Sequence, residues 1–365
     1  MKIVADQNML MVDQFFGEYG SVTYVPGRSL CAADIADADV LLVRSVTQVN
    51  RALLEGSSVS FVGSATIGTD HIDEDYLAQN GIDFAYAPGC NADAVVQYDL
   101  SVLSRLQANW QQCSVGIVGC GNVGGRLYRA LTDLGVSCAV YDPFLSADSG
   151  INLTDFDTVL GRDIICVHTP LTTSGRYPTE HLFSAEVLGR INPESLLINA
   201  GRGAVIDNAA LLALLESGSP LRVALDVWEG EPSINLSLME KVALATPHIA
   251  GYSVEGKVRG TEMLAEVFKQ LADADAETLT EQPKTVATLT AETVSELILA
   301  SYDVAEDDLR MRSALNASSD VAQAFDLLRK QYPERHEFSR YKFSVETQQA
   351  QPELIAQALK LGFRE

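Results

Sequence analysis

Val115-Gly116-Ile117-Val118-Gly119-Cys120-Gly121-Asn122-Val123-Gly124 is an apolar run followed by three glycines in the spacing GxGxxG. The run has the length of a buried strand, and Leu127, Leu131 and Leu134 after it recur at helical spacing. Glycines in such a turn let the backbone approach a pyrophosphate closely, and the N-terminus of the helix stabilises its charge. On its own the pattern is weak. Its weight comes from Asp142, which ends the next apolar run 21 residues after Gly121, where a carboxylate accepts hydrogen bonds from ribose hydroxyls and repels a 2′-phosphate. The pair points to NAD rather than NADP; the bland alternative is a glycine turn and a surface acid.

Outward from this stretch, near-continuous apolar runs at 115–118, 138–141, 164–167, 196–199, 223–226 and 242–245 read as strands buried on both faces of a doubly wound parallel sheet. Upstream, runs at 2–5, 22–25, 40–43, 59–62 and 84–87 alternate with polar helical stretches and predict a second, smaller parallel α/β sheet. Apolar positions from Ala94 to Leu106 predict a helix over 93–110 leading into the nucleotide domain, and residues 254–272 predict another that carries the chain back to the first. The acidic, polar stretch from Ala272 to Pro283 reads as a linker. Beyond it, helical patterning and an aromatic-basic stretch (Tyr332, Arg335, Phe338, Arg340, Tyr341, Phe343) are too apolar for disorder. The expected division is 1–92 with 254–280 as a substrate domain, 93–253 as a nucleotide-binding domain, and 281–365 as a C-terminal α+β domain.

Composition narrows the function. With 49 acidic against 26 basic residues the formal charge is −23, which opposes nonspecific binding to nucleic acid or anionic membrane. An anionic substrate would need a locally basic pocket. No run approaches a membrane span, and Met1-Lys2-Ile3-Val4-Ala5-Asp6 lacks the features of a secretory signal, so a cytoplasmic protein is expected. The six cysteines (31, 90, 113, 120, 138, 166) show no CxxC pairing or metal spacing and read as reduced thiols, with no metal expected.

Three further segments fall at the expected carboxyl ends of successive strands, where open α/β sheets bind ligands. They are Asn199-Ala200-Gly201-Arg202-Gly203, Asp226-Val227-Trp228-Glu229-Gly230-Glu231-Pro232 and Pro247-His248-Ile249-Ala250-Gly251. Oxidising an alcohol beside a carboxylate needs an anion clamp, a base and a neighbouring hydride acceptor. Arginine binds carboxylates bidentately, and a histidine paired with a carboxylate is a base near neutral pH. Taken singly, Arg202, Glu231 and His248 would be a loop ion pair, a turn acid and a packed histidine. Their placement after a nucleotide fingerprint reverses that reading.

On these motifs residues 1–272 resemble the D-isomer-specific 2-hydroxyacid dehydrogenases. The resemblance implies a catalytic trio Arg202, Glu231 and His248. It also implies an NAD site lined by Gly119, Gly121, Asn122, Val123, Gly124, Asp142, Thr169, Ala200, Gly201, Arg202, Asp226 and Gly251, with His168 structural. Departures from the wider family's pattern, Thr66 in Ser64-Ala65-Thr66-Ile67-Gly68 and Tyr252 after Gly251, are similar to a branch that acts on a phosphorylated sugar acid. That likeness implies Ser45, Thr66 and Tyr252 as substrate contacts, Arg44 and Lys257 as phosphate neutralisers or ordinary surface charges, and a tail that dimerises; closure of a cleft around substrate, a common device in two-domain enzymes, is expected as well. A 3-phosphoglycerate-type dehydrogenase with an unusual tail and a non-catalytic NAD-sensing protein remain as alternatives.

Overall fold

The computed structural model describes residues 1–271, 285–344 and 352–365 in two compact units. The stretch Ala272–Pro283, expected as a linker, lies outside the described residues, as do the domain boundaries expected at 280 and 281.

One unit comprises Met1–Asn91 and the described residues 253–271. Its five strands, β1 (Lys2–Asp6), β2 (Ser21–Val25), β3 (Val40–Val43), β4 (Phe61–Ser64) and β5 (Asp83–Tyr86), lie in the order β2-β1-β3-β4-β5, every pair parallel. This is the flavodoxin-like order, with the chain reversing direction across the sheet at β1 and β3. The helix Val254–Leu271 covers one face, burying Leu264, Ala265 and Phe268 against Ile3, Leu42 and Phe61. The other face packs Leu41, Val43 and Val62 on Leu53, Leu54 and Leu77. β4 begins two residues later than its apolar run suggests, because Ser60 N–H and Phe61 N–H both donate to the Asp39 carbonyl before regular pairing starts.

The other unit holds Ala92–Tyr252 and the described residues from 285 onward. Its six-stranded sheet, β6 (Ser114–Val118), β7 (Ser137–Tyr141), β8 (Ile164–Val167), β9 (Leu196–Asn199), β10 (Arg222–Leu225) and β11 (Leu244–Ala245), runs β11-β10-β9-β8-β6-β7, all parallel. A parallel bridge from Val140 to Leu153 adds a rudimentary strand outside β7, which completes the strand order of a Rossmann sheet. No apolar run announced it. The helix expected over 93–110 ends at Leu106, and a single 3₁₀ turn follows at Trp110–Gln112.

The C-terminal region contributes a parallel pair, β12 (Ala287–Thr290) and β13 (Tyr341–Ser344), and helices that share cores with the Rossmann sheet. Val294, Leu297 and Ile298 pack with Tyr98 and Val102, while Met311, Leu315 and Phe325 join Trp228, Leu238 and Met239. Burying each such side chain stabilises by about 2 kcal/mol. Helices are therefore held firmly over the loop that carries Trp228.

None of the six cysteines forms a disulfide, and four are buried. Burial pushes the Cys120 thiol up to about 11 and Cys138 to about 12, so both stay protonated and inert. Among the described residues no helix is long and apolar enough to cross a membrane.

Candidate active site

Parallel registry builds this site. Tyr141, Val118, Val167, Asn199, Leu225 and Ala245 pair across neighbouring strands in one row. The residues that follow them, Asp142, Gly119, His168, Ala200, Asp226 and Thr246, therefore leave the sheet side by side at its carboxyl edge.

The glycines have separate jobs. Gly119 has φ +85°, and a Cβ there would meet Thr169 and His168 at 2.9–3.0 Å. At Gly124 a Cβ would lie 2.0 Å from the Gly119 carbonyl, so this glycine lets the helix Asn122–Asp133 sit directly on the turn. Gly121 faces open space. Asp142 Oδ2 accepts the Cys120 N–H (2.8 Å) and Oδ1 the Phe144 N–H (3.0 Å), which fixes a half-buried carboxylate beside the turn with lone pairs to spare. Thr169 Oγ1 is buried with no hydrogen-bond partner. A dinucleotide fits this set: an open glycine turn, the N-terminus of a helix beginning at Asn122 and Val123, a fixed carboxylate for a ribose, and an unsatisfied hydroxyl beside Gly119.

Asp226 organises the loop that bears His248. Burial pushes its carboxyl up, opposed by His248 and by donors from Thr246, Ile249 and Ala250. Oδ1 accepts Thr246 Oγ1–H (2.7 Å) and Ile249 N–H (2.8 Å), Oδ2 accepts Ala250 N–H (2.9 Å), and the Asp226 carbonyl accepts His248 N–H (2.7 Å). These bonds hold His248 at φ +57°, a left-handed conformation unusual for a residue with a Cβ. With its oxygens used in this way and the residue 1% exposed, Asp226 acts as a support under the loop. Tyr98, from the helix Ala92–Leu106, extends the network through Thr246 Oγ1 (3.0 Å).

Glu231 Oε2 lies 2.7 Å from His248 Nδ1, and its Oε1 accepts the Trp228 N–H at 2.8 Å. Burial works to raise the Glu231 carboxyl, yet it sits below its ordinary range because His248, the Trp228 N–H and Arg329 outweigh burial. Arg202 is half-buried and donates to the Gly201 carbonyl at 3.0 Å. Its loop is shaped by Asn199, which accepts from Gly201 N–H and donates to the Arg202 carbonyl. Next to it a Cβ on Gly203 would lie 2.0 Å from the Trp228 carbonyl carbon, so only glycine lets the Arg202 and Glu231 loops touch. His181, in the turn that precedes the helix Ala185–Leu188, braces the same pair of loops through Glu229 (2.8 Å), which also accepts the Asn208 N–H. His168 lies 3.0 Å from Asp99, both side chains fully buried, in keeping with a structural role.

In the other unit, Val43 pairs with Ser64, so Arg44–Ser45 and Ala65–Thr66 leave adjacent strand ends. The Thr66 hydroxyl is 2.7 Å from Ser64 Oγ, donates to the Gly68 carbonyl at 2.8 Å, and connects through Ser64 to His71 Nε2 at 2.9 Å. Ser45 is exposed and Arg44 and Lys257 are half-buried.

Sequence reasoning did not find the residues that surround Tyr252. Its ring packs edge-on against Tyr332 (centroids 5.7 Å), and the Arg329 guanidinium lies 5.9 Å from its centroid. Arg335 donates to the carbonyls of Ala94 and Ala250 from beneath the His248 loop. The aromatic-basic composition of 332–343 was a signal of burial, but nothing in it indicated against what.

Residues 97–250 match the family described as D-isomer specific 2-hydroxyacid dehydrogenase, NAD binding domain, and residues 277–362 match a domain of unknown function. The chain is 49% identical over 357 residues to a protein of Teredinibacter turnerae named erythronate-4-phosphate dehydrogenase, covering 94% of this chain and 95% of that one. It is 46% identical to one of the same name from Cellvibrio japonicus, covering 95% and 96%. Among solved structures, D-lactate dehydrogenase of Aquifex aeolicus complexed with NAD and lactic acid superposes with TM-score 0.63 at 20% identity, over 75% of this chain and 96% of that one. That likeness is one of fold.

Proposed function

The chain belongs to the erythronate-4-phosphate dehydrogenase family, within the NAD-dependent D-isomer specific 2-hydroxyacid dehydrogenases, and on that premise we propose that it oxidises 4-phospho-D-erythronate to (R)-3-hydroxy-2-oxo-4-phosphooxybutanoate. The reaction falls in pyridoxine biosynthesis. The observation that carries the chemistry is the 2.7 Å contact of Glu231 with His248 at the edge that also bears the glycine turn and Arg202.

In this reading NAD, when bound, supplies the acceptor for the hydride that leaves C2. The Arg202 guanidinium holds the C1 carboxylate, for which its planar fork is suited. His248 donates Nδ1–H to Glu231, which leaves the Nε2 lone pair to take the C2 hydroxyl proton. Glu231 then stabilises the imidazolium. In the reverse direction His248 returns the proton.

Ser45, Thr66 and Tyr252 bind the hydroxyl-rich body of the substrate, and Arg44 and Lys257 serve its phosphate. The functional division follows the expected domains, and the protein works as a homodimer through its C-terminal region, in the cytoplasm. Support for a phosphorylated substrate comes from the names of the relatives. Competing assays with NAD test it: 4-phosphoerythronate should be turned over with kcat/KM at least about 100-fold above 3-phosphoglycerate. Equal or inverted preference would replace the substrate assignment.

A further inference from the structure

We propose that Arg329, from the last turn of the helix Val321–Lys330, is a positioning residue of the catalytic centre that holds the ring of Tyr252 and sets a positive charge against Glu231. The inference rests on the reading of Glu231 and His248 as the acid–base pair.

Arg329 is a large cation brought in by the region that matches a domain of unknown function. Phe325, one turn earlier, is fully buried in the core that contains Trp228 and Met239, which fixes the helix against the Glu231 loop. Arg329 Nε is buried without a hydrogen-bond partner, so the guanidinium bears a desolvation cost that electrostatic partners must offset. Those partners are Tyr252, through its hydroxyl and ring, then Glu231 and Asp226. Tyr252 also packs edge-on against Tyr332, whose hydroxyl donates to Asp307 (2.7 Å), itself bonded to Tyr302 (2.8 Å) and Arg310 (3.0 Å). Tyr252 is thus in contact with both a cation and a braced aromatic ring. An aromatic hydroxyl held this way keeps one orientation toward a ligand, and substrate binding does not have to fix it.

The charge has a second consequence. The charged groups acting on the Glu231–His248 pair come from separate elements: Asp226 from the end of β10 and Arg329 from the C-terminal helix, with Tyr252 following the His248 loop. Asp226 favours the protonated pair and Arg329 disfavours it. A base that must be free to accept a proton gains from the cation, and removing the cation makes the pair easier to protonate.

Arg329→Gln and Arg329→Lys separate the two effects. In the glutamine variant KM for 4-phosphoerythronate should rise about 10-fold with NAD affinity unchanged, and the acid limb of kcat/KM should move to higher pH by about half a unit or more. The lysine variant should restore the limb but not KM, because a compact ammonium lacks the delocalised, fork-shaped guanidinium that contacts the ring. Parallel losses of thermal stability and NAD affinity in both variants, with the acid limb unmoved, would reduce Arg329 to a packing residue and overturn the proposal. His248→Gln distinguishes this from failure of the underlying reading: unimpaired turnover there sinks the acid–base pair, whatever the Arg329 variants show.

Discussion

Glu231 and His248 meet at 2.7 Å, and the same carboxylate is tied by its other oxygen to the Trp228 N–H, so the acid is fixed before it fixes the base. Burial alone would raise Glu231; the attraction of His248 and the hydrogen bonds to it carry the carboxyl below its ordinary range. A carboxylate with a depressed folded-state pKa adds stability above its unfolded pKa of about 4.3, and that stability is lost as pH falls through the folded value. Glu231→Gln should therefore lower thermal stability at pH 7 by more than at pH 4. A difference in Tm that is the same at both pH values would show that the ionised Glu231 carboxylate contributes nothing to the fold.

Gly203→Ala tests the joint between the Arg202 and Glu231 loops. The added methyl would sit 2.0 Å from a backbone carbon of Trp228, and backbone cannot move aside as a flexible side chain can. Overpacking of this kind costs about 1–3 kcal/mol or more, measurable by urea unfolding. It should lower kcat as well, by parting the anion clamp from the base. Wild-type stability and turnover would mean that the two loops are not locked together at this point.

Asp142 has two tasks, binding the turn through Cys120 N–H and presenting a negative charge beside it. Asp142→Ala should weaken NAD binding and reduce the ratio of kcat/KM for NAD over NADP by about 10-fold or more, since the repulsion of a 2′-phosphate is removed. An unchanged ratio, however large the fall in NAD affinity, would discredit the carboxylate as the selector.

Much of the fold was legible because buried parallel strands must be continuously apolar. The runs at 40–43, 164–167 and 196–199 match β3, β8 and β9 residue for residue. β11 shrank to Leu244–Ala245 although its apolar run begins at Val242, because apolarity records burial and the ladder starts only where a partner strand is in register. The bridge at Leu153 was invisible for the opposite reason: one paired residue leaves no pattern. In the site, Arg202, Glu231 and His248 could be singled out since each follows a recognisable strand. Asp226 at a strand end suggested contact with a ligand, while its position under three donors is set by the left-handed turn at His248, which no spacing encodes. Arg329 and Tyr332 lie more than 75 residues after Tyr252 in sequence, and only packing brings them to it.

The most direct test of the account is turnover by His248→Ala with NAD and 4-phosphoerythronate, set beside its NADH affinity. The account predicts that kcat falls by about 100-fold or more while NADH binds as tightly as to the unaltered protein. Near-normal turnover would contradict it, because the base would then have to be another residue.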